Sequence, residues 1–151
     1  MQTPPPSIAR DQAKVDANHL KLLAIFHFVA AGLSLLGMAF VLAHYTFMHF
    51  FLTNPAFNNG PRHEALPAEL LGILKFFYLA AGLWFFASLI LNLISGLCLL
   101  TRKGRTFSLV VAVFNCLHLP IGTVLGVFTL IVLIRDSVRE LYESAAGGQR
   151  N

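Results

Sequence analysis

Apolar residues along this chain come in long unbroken runs rather than on alternating faces, and the polar residues gather in short breaks between them. Leu20 to Leu52, Leu70 to Leu100 and Phe107 to Ile134 are almost free of charge. A helix that crosses a bilayer needs about 20 consecutive, mainly apolar residues, and each run meets that length. The first run predicts a helix from about His19 to Phe51, with Asp16 or Asn18 placed to cap it. Such a helix is roughly 50 Å long, against a hydrocarbon core of ~30 Å. It must tilt, or its aromatic end at Tyr45, Phe47, Phe50 and Phe51 must enter the interface. Asn54-Pro55 and Asn58-Asn59-Gly60-Pro61 stop it and form a loop. Pro67, favourable in a first turn, opens a second helix that runs to about Leu100.

The third run is divided. Pro120 disfavours helix at Leu119 and lacks a backbone donor, so Pro120-Ile121-Gly122-Thr123 reads as a turn with Thr123 able to cap a fourth helix. One kinked helix is the alternative. The distribution of basic residues favours two helices. Arg102-Lys103-Gly104-Arg105 is the densest positive cluster, and a short loop of this kind stays in the cytoplasm. With four spans, Arg10, Lys14, Lys21, Arg135, Arg139 and Arg150 join it on the inner side, leaving Arg62 outside and Lys75 near the outer edge, snorkelling to the headgroups. The third span, Thr106 to Leu119, then covers only about 21 Å, so its hairpin with the fourth is recessed from the outer surface or the bilayer thins there. Ile134, Val138, Leu141 and Tyr142 continue an apolar stripe and carry the fourth helix into the inner interface. The expected fold is an all-α, integral membrane four-helix bundle with a short hairpin for helices three and four. Residues 1–18, opening on Pro4-Pro5-Pro6, form a disordered cytoplasmic tail; 19–143 form the membrane domain; 144–151 form a flexible tail.

Small residues mark expected packing faces. Phe26-x-x-x-Ala30-Ala31-Gly32-Leu33 recurs as Phe76-x-x-x-Ala80-Ala81-Gly82-Leu83. Because lipid supplies no hydrophobic drive for association, small residues that admit a close neighbour take on that task. This gives Gly32 and Gly82 as packing positions, or a chance repeat in a restricted alphabet. Gly122-x-x-x-Gly126 is a second small-residue face, suited to close packing or dimerisation.

Composition narrows the function classes. Of 151 residues, 56% are hydrophobic and 12% charged, whereas a soluble domain carries about 25% charged residues. The net charge of +4 does not indicate a nucleic-acid partner, because the basic residues sit at the ends of apolar runs. Cys98 and Cys116 lie inside those runs and read as buried structural thiols. The first run is too long, and too far along the chain, for a secretory signal. The sequence contains no H-E-x-x-H, G-x-S-x-G, G-x-x-x-x-G-K-[ST] or C-x-x-C motif, and no carboxylate lies mid-span.

Histidine is what remains for chemistry. His27, between Phe26 and Phe28, lies well inside the first span, with Asn92 and Asn115 at comparable depth on the second and third. A polar ring there needs a partner, which makes it a packing hydrogen bond or, with His118, a cofactor or proton-relay site. His44, His49 and His63 map to the outer half and are the candidate metal ligands, with Met48 sharing a face with His44. His44 and His49 stand about 140° apart round a helix, which opposes a shared ligand.

Two segments, His19-Leu20-Lys21-Leu22-Leu23-Ala24-Ile25-Phe26-His27-Phe28 and Pro120-Ile121-Gly122-Thr123-Val124-Leu125-Gly126-Val127-Phe128-Thr129-Leu130, resemble parts of a family of small, uncharacterised bacterial four-helix transmembrane proteins. The resemblance implies four spans and a bacterial inner membrane and adds nothing about activity; it is the charge distribution that places both termini in the cytoplasm. The functional expectation is a non-enzymatic membrane protein acting through helix–helix association, as a homo-oligomer or an accessory subunit. A haem- or metal-binding protein using the histidines is the alternative, and a small channel or transporter a further one.

Overall fold

The computed structural model describes residues 6–54, 68–118 and 120–147. Among these the chain is all-helical, with five α-helices and no strand: α1 (Pro6–Thr53), α2 (Ala68–Thr101), α3 (Arg105–Asn115), α4 (Ile121–Ile134) and α5 (Asp136–Gly147). α1 and α2 are long and apolar enough to cross a membrane. The loop at residues 55–66, Pro67, Leu119, residues 1–5 and the end of the C-terminal tail lie outside the described residues.

Three boundaries differ from expectation. α1 is 48 residues long and begins at Pro6, so residues 6–18 are helix rather than disordered tail. Pro6 suits a first helical position, and Asp16, 2% exposed, is tied to Arg135 at 3.7 Å. That ion pair fixes the early turns to the far end of the chain. The second difference lies between α4 and α5. The expected continuous fourth helix breaks at Arg135, which is extended with ψ 137°. Asp136 then stands in the first turn of α5, where a carboxylate is favoured by the helix dipole. The apolar stripe survives the break, since Val138 and Tyr142 are buried and Leu141 packs on the same core. Third, α5 continues through Gly147, so residues 144–147, expected as tail, are helical.

The third apolar run forms two helices, not one kinked helix. α3 ends at Asn115 and α4 begins at Ile121. Thr123 does not cap α4; its hydroxyl donates back to the Cys116 carbonyl at 3.0 Å, closing the turn from the other side.

The chain divides into two compact units, residues 1–31 with 90–151, and residues 32–89. In the first, Leu20, Leu23 and Ala24 of α1, Leu99 of α2, Leu125, Val132 and Leu133 of α4 and Val138 and Tyr142 of α5 form one apolar core. Gly122 and Gly126 sit at the α3–α4 contact. A Cβ at Gly122 would stand 2.6 Å from the Asn115 carbonyl oxygen and run into His118. One at Gly126 would stand 2.6 Å from Cys116 Sγ and run into the Ala112 carbonyl. This pair therefore packs within its own hairpin and is not an open dimer face. In the second unit, Ser34 and Ser88 hydroxyls meet at 2.9 Å, and Gly37 leaves room for the Phe85 ring, which a Cβ would strike. Gly32 and Gly82, expected at close contacts, have open space where a Cβ would be.

Gly126→Val should therefore overpack the hairpin against backbone, at a cost of about 1–3 kcal/mol, and lower the thermal midpoint of the detergent-solubilised protein. Gly32→Val should leave that midpoint unchanged or slightly raised. A Gly126 variant as stable as the parent would remove the hairpin contact as an explanation for this glycine.

Candidate functional site

Four polar side chains, one from each of α1 to α4, converge inside the first unit. Each sits on the buried face of an apolar helix: His27 a turn beyond Leu23 and Ala24, Asn92 a turn before Ser95, Asn115 a turn beyond Val111 and Ala112, and Thr129 a turn beyond Leu125. His27 and Thr129 are 0% exposed, Asn92 1% and Asn115 3%. In such surroundings a polar group without a partner costs about 1–3 kcal/mol, and these four supply one another.

The two amides pair reciprocally. Asn92 Nδ2 donates to Asn115 Oδ1 at 3.1 Å, and Asn115 Nδ2 donates to Asn92 Oδ1 at 2.8 Å. His27 Nδ1 stands 2.9 Å from Asn92 Oδ1 and so carries the ring proton. Nε2 of the neutral ring is then an acceptor, 3.3 Å from Thr129 Oγ1. The Thr129 hydroxyl has one proton and two acceptors in reach, Nε2 and the Leu125 carbonyl at 2.8 Å. A second proton on the ring would remove the competition, since Nε2–H would donate to Oγ1 and the hydroxyl proton would go to Leu125.

Thr129, His27 and Asn92 follow the order hydroxyl, imidazole, orienting amide found in nucleophilic triads. Burial denies them that chemistry, because no substrate carbonyl reaches a hydroxyl with no exposed surface. What the arrangement does is join four helices at one depth and fix their rotation.

The remaining candidates are dispersed. Both nitrogens of His27 face protein groups, and His118 lies at the α3–α4 turn with its ring 5.4 Å from that of Phe114. His44 Nδ1 meets the Tyr78 hydroxyl in the second unit, and Tyr78 also stacks edge-on with Tyr45. His49 packs against Tyr45. His63 lies outside the described residues. Among the described residues no three His, Cys, Asp or Glu side chains converge as a metal-binding group. Thr129, Tyr78 and the Ser34–Ser88 pair were not singled out by the sequence; for Thr129 the available signal was a hydroxyl deep in an apolar α4, beyond Thr123 at the hairpin turn.

No protein-family model, curated protein or solved structure matches the chain.

His27→Ala should destabilise the protein by about 1–3 kcal/mol or more, through the partners it leaves unmade. The amide pair offers a sharper check by thermal or denaturant unfolding in detergent. Asn92→Leu and Asn115→Leu should each be costly, while the double variant costs less than their sum by about 0.5–3 kcal/mol. Strict additivity would mean that the two amides do not act as a unit.

Proposed function

We propose that this is a non-enzymatic integral membrane protein that works by helix–helix association, with further copies of itself or as an accessory subunit of a membrane complex. The observation that carries the reading is the inverted distribution of side chains. Leu36 and Phe40 on α1, Phe76 and Leu79 on α2, Val110 on α3 and Phe128 on α4 are 61% to 73% exposed, while His27, Asn92 and Thr129 are sealed inside. In water, apolar faces of this extent mark interaction or aggregation sites. In hydrocarbon they are solvated, and the polar groups are the ones that need internal partners.

Four spans, α1 to α4, with both termini in the cytoplasm of a bacterial inner membrane, accord with the charges. Arg102, Lys103 and Arg105 at the α2–α3 turn fall on the same side as Lys14, Lys21, Arg135 and Arg139. α5, with its buried Val138 and Tyr142 and exposed Arg139, Glu140 and Glu143, suits the inner interface. α3, at 11 residues, is shorter than the ~30 Å core, so the hairpin tip is recessed. The association face belongs to α1 and α2. Gly32, Gly72 and Gly82 have no neighbour within 4 Å where a Cβ would be, and Leu33, Leu79 and Leu83 are exposed beside them. Small residues flanked by such side chains let a second helix approach closely.

Membranes washed with alkaline carbonate should retain the protein, and native mass spectrometry from mild detergent should return a homo-oligomer or a stoichiometric partner. Gly82→Leu should shift that species towards monomer without lowering the thermal midpoint. Release by carbonate would overturn the membrane assignment. A monomer carrying a haem or metal mass would overturn association and make the histidines the site.

A further inference from the structure

The groups that meet the buried ring of His27 are all neutral. Nδ1 meets Asn92 of α2, Nε2 faces Thr129 of α4, and Asn115 of α3 stands behind Asn92. Among the described residues the charged and titratable groups of the first unit stand off along the helices. On α1, Asp16 and His19 precede the ring by about 16 and 12 Å of helix rise, and Lys21 is exposed. Cys98 lies about 9 Å beyond Asn92, and the cations of the α2–α3 turn begin about 15 Å beyond it. Arg135 lies about 9 Å beyond Thr129 and is paired with Asp16. On α3, Arg105 is held by the Leu133 carbonyl, Cys116 turns its Sγ to Gly126, and the His118 ring lies against Phe114. Tyr142 of α5 belongs to the apolar core that includes Leu20 and Leu99.

A proton added to this ring has two opposite effects. It gives Nε2 a hydrogen for Thr129 Oγ1 and leaves the hydroxyl proton to the Leu125 carbonyl. Against that one bond stands a full charge withdrawn from water with no counter-charge beside it. The desolvation of such an ion outweighs a single hydrogen bond, even a charge-assisted one. The ring is therefore neutral while the network is closed, and it takes up a proton when water reaches it. The bonds that join α1 and α2 to the α3–α4 hairpin inside this network are the contact of Nε2 with Thr129 and the two amide bonds between Asn92 and Asn115. To hydrate the ring is to part these.

We propose that His27 is an acid-sensitive latch, in which proton uptake from solvent opens the four-helix network and releases the α3–α4 hairpin from α1 and α2. The latch does not depend on the membrane assignment, because the network is internal. An imidazole in water is protonated below about pH 6.5. The open state then binds one proton more than the closed state, so the closed state is fully stable above that pH and loses stability as the pH falls. Each further unit moves the balance about ten-fold towards the open state, or roughly thirty-fold by pH 5.0.

The test is thermal unfolding of the full chain in mild detergent at pH 7.5 and 5.0, beside His27→Gln, which keeps an amide towards Asn92 and takes no proton. Acidification should lower the midpoint of the parent by about 4–8 °C more than that of the variant. Hydrogen exchange, corrected for its intrinsic pH dependence, should quicken in α3 and α4 at pH 5.0 and stay unchanged in residues 32–53. Equal shifts in parent and variant, or a parent midpoint that does not fall, would overturn the latch. A uniform rise in exchange over all helices would overturn it too, as a general loss of structure rather than release of the hairpin. Should His27→Gln fail to fold, nitrogen NMR of the histidine rings in the parent decides. A His27 ring that stays neutral until the α3 and α4 amides open supports the proposal, and an imidazolium within a hairpin that remains protected overturns it.

Discussion

A polar group placed in an apolar interior must find its hydrogen bond there, and the first unit is arranged around that requirement. His27, Asn92, Asn115 and Thr129 come from four helices and leave no face of the network open, with His27 and Thr129 wholly buried. The same rule accounts for less central features. The Arg105 guanidinium caps the end of α4 through the Leu133 carbonyl, where the break at Arg135 would otherwise leave that oxygen unpaired. The Thr123 hydroxyl does likewise for Cys116 in the hairpin turn. Apolar packing is unspecific about rotation, so it is the directional bonds that set which face of each helix points inward.

Glycine divides into two groups with opposite uses. Gly122 and Gly126 let α4 lie against the α3 backbone, and Gly37 and Gly96 accommodate the rings of Phe85 and Phe28. Gly32, Gly72 and Gly82 meet nothing. A glycine in mid-helix that packs against nothing lowers helix stability by ~1 kcal/mol relative to alanine. That cost gives the open glycines a different character from the closed ones, and it is the cost that the proposed association would offset.

Hydropathy made the helices legible because an apolar run of such length has few other outcomes. Pro120 and the adjacent Gly122 likewise marked the hairpin. His27 with Asn92 and Asn115 was legible as a packing group because three strongly polar residues in otherwise apolar segments need one another. Thr129 was not, since a threonine satisfies itself on its own helix, as it does here through Leu125. Glycine partnerships were illegible for a related reason. The repeat around Gly32 and Gly82 and the pair at Gly122 and Gly126 look alike in sequence, and only the rotation of each helix separates a closed glycine from an open one. The burial of Asp16, in the part of α1 that precedes the apolar run, goes with a partner distant in sequence, Arg135.

The brevity of α3 bears on how the protein is made. In the proposed membrane topology, an 11-residue helix cannot be threaded across the bilayer by itself, so α3 has to wait in the exit path until α4 has been synthesised and then enter with it as a pair. Thr129, which shares the His27 ring, is synthesised 102 residues after it. Over that interval the nascent chain holds an imidazole whose Nε2 partner does not yet exist. In that topology the four helices can close on one another only after the ribosome has passed α4.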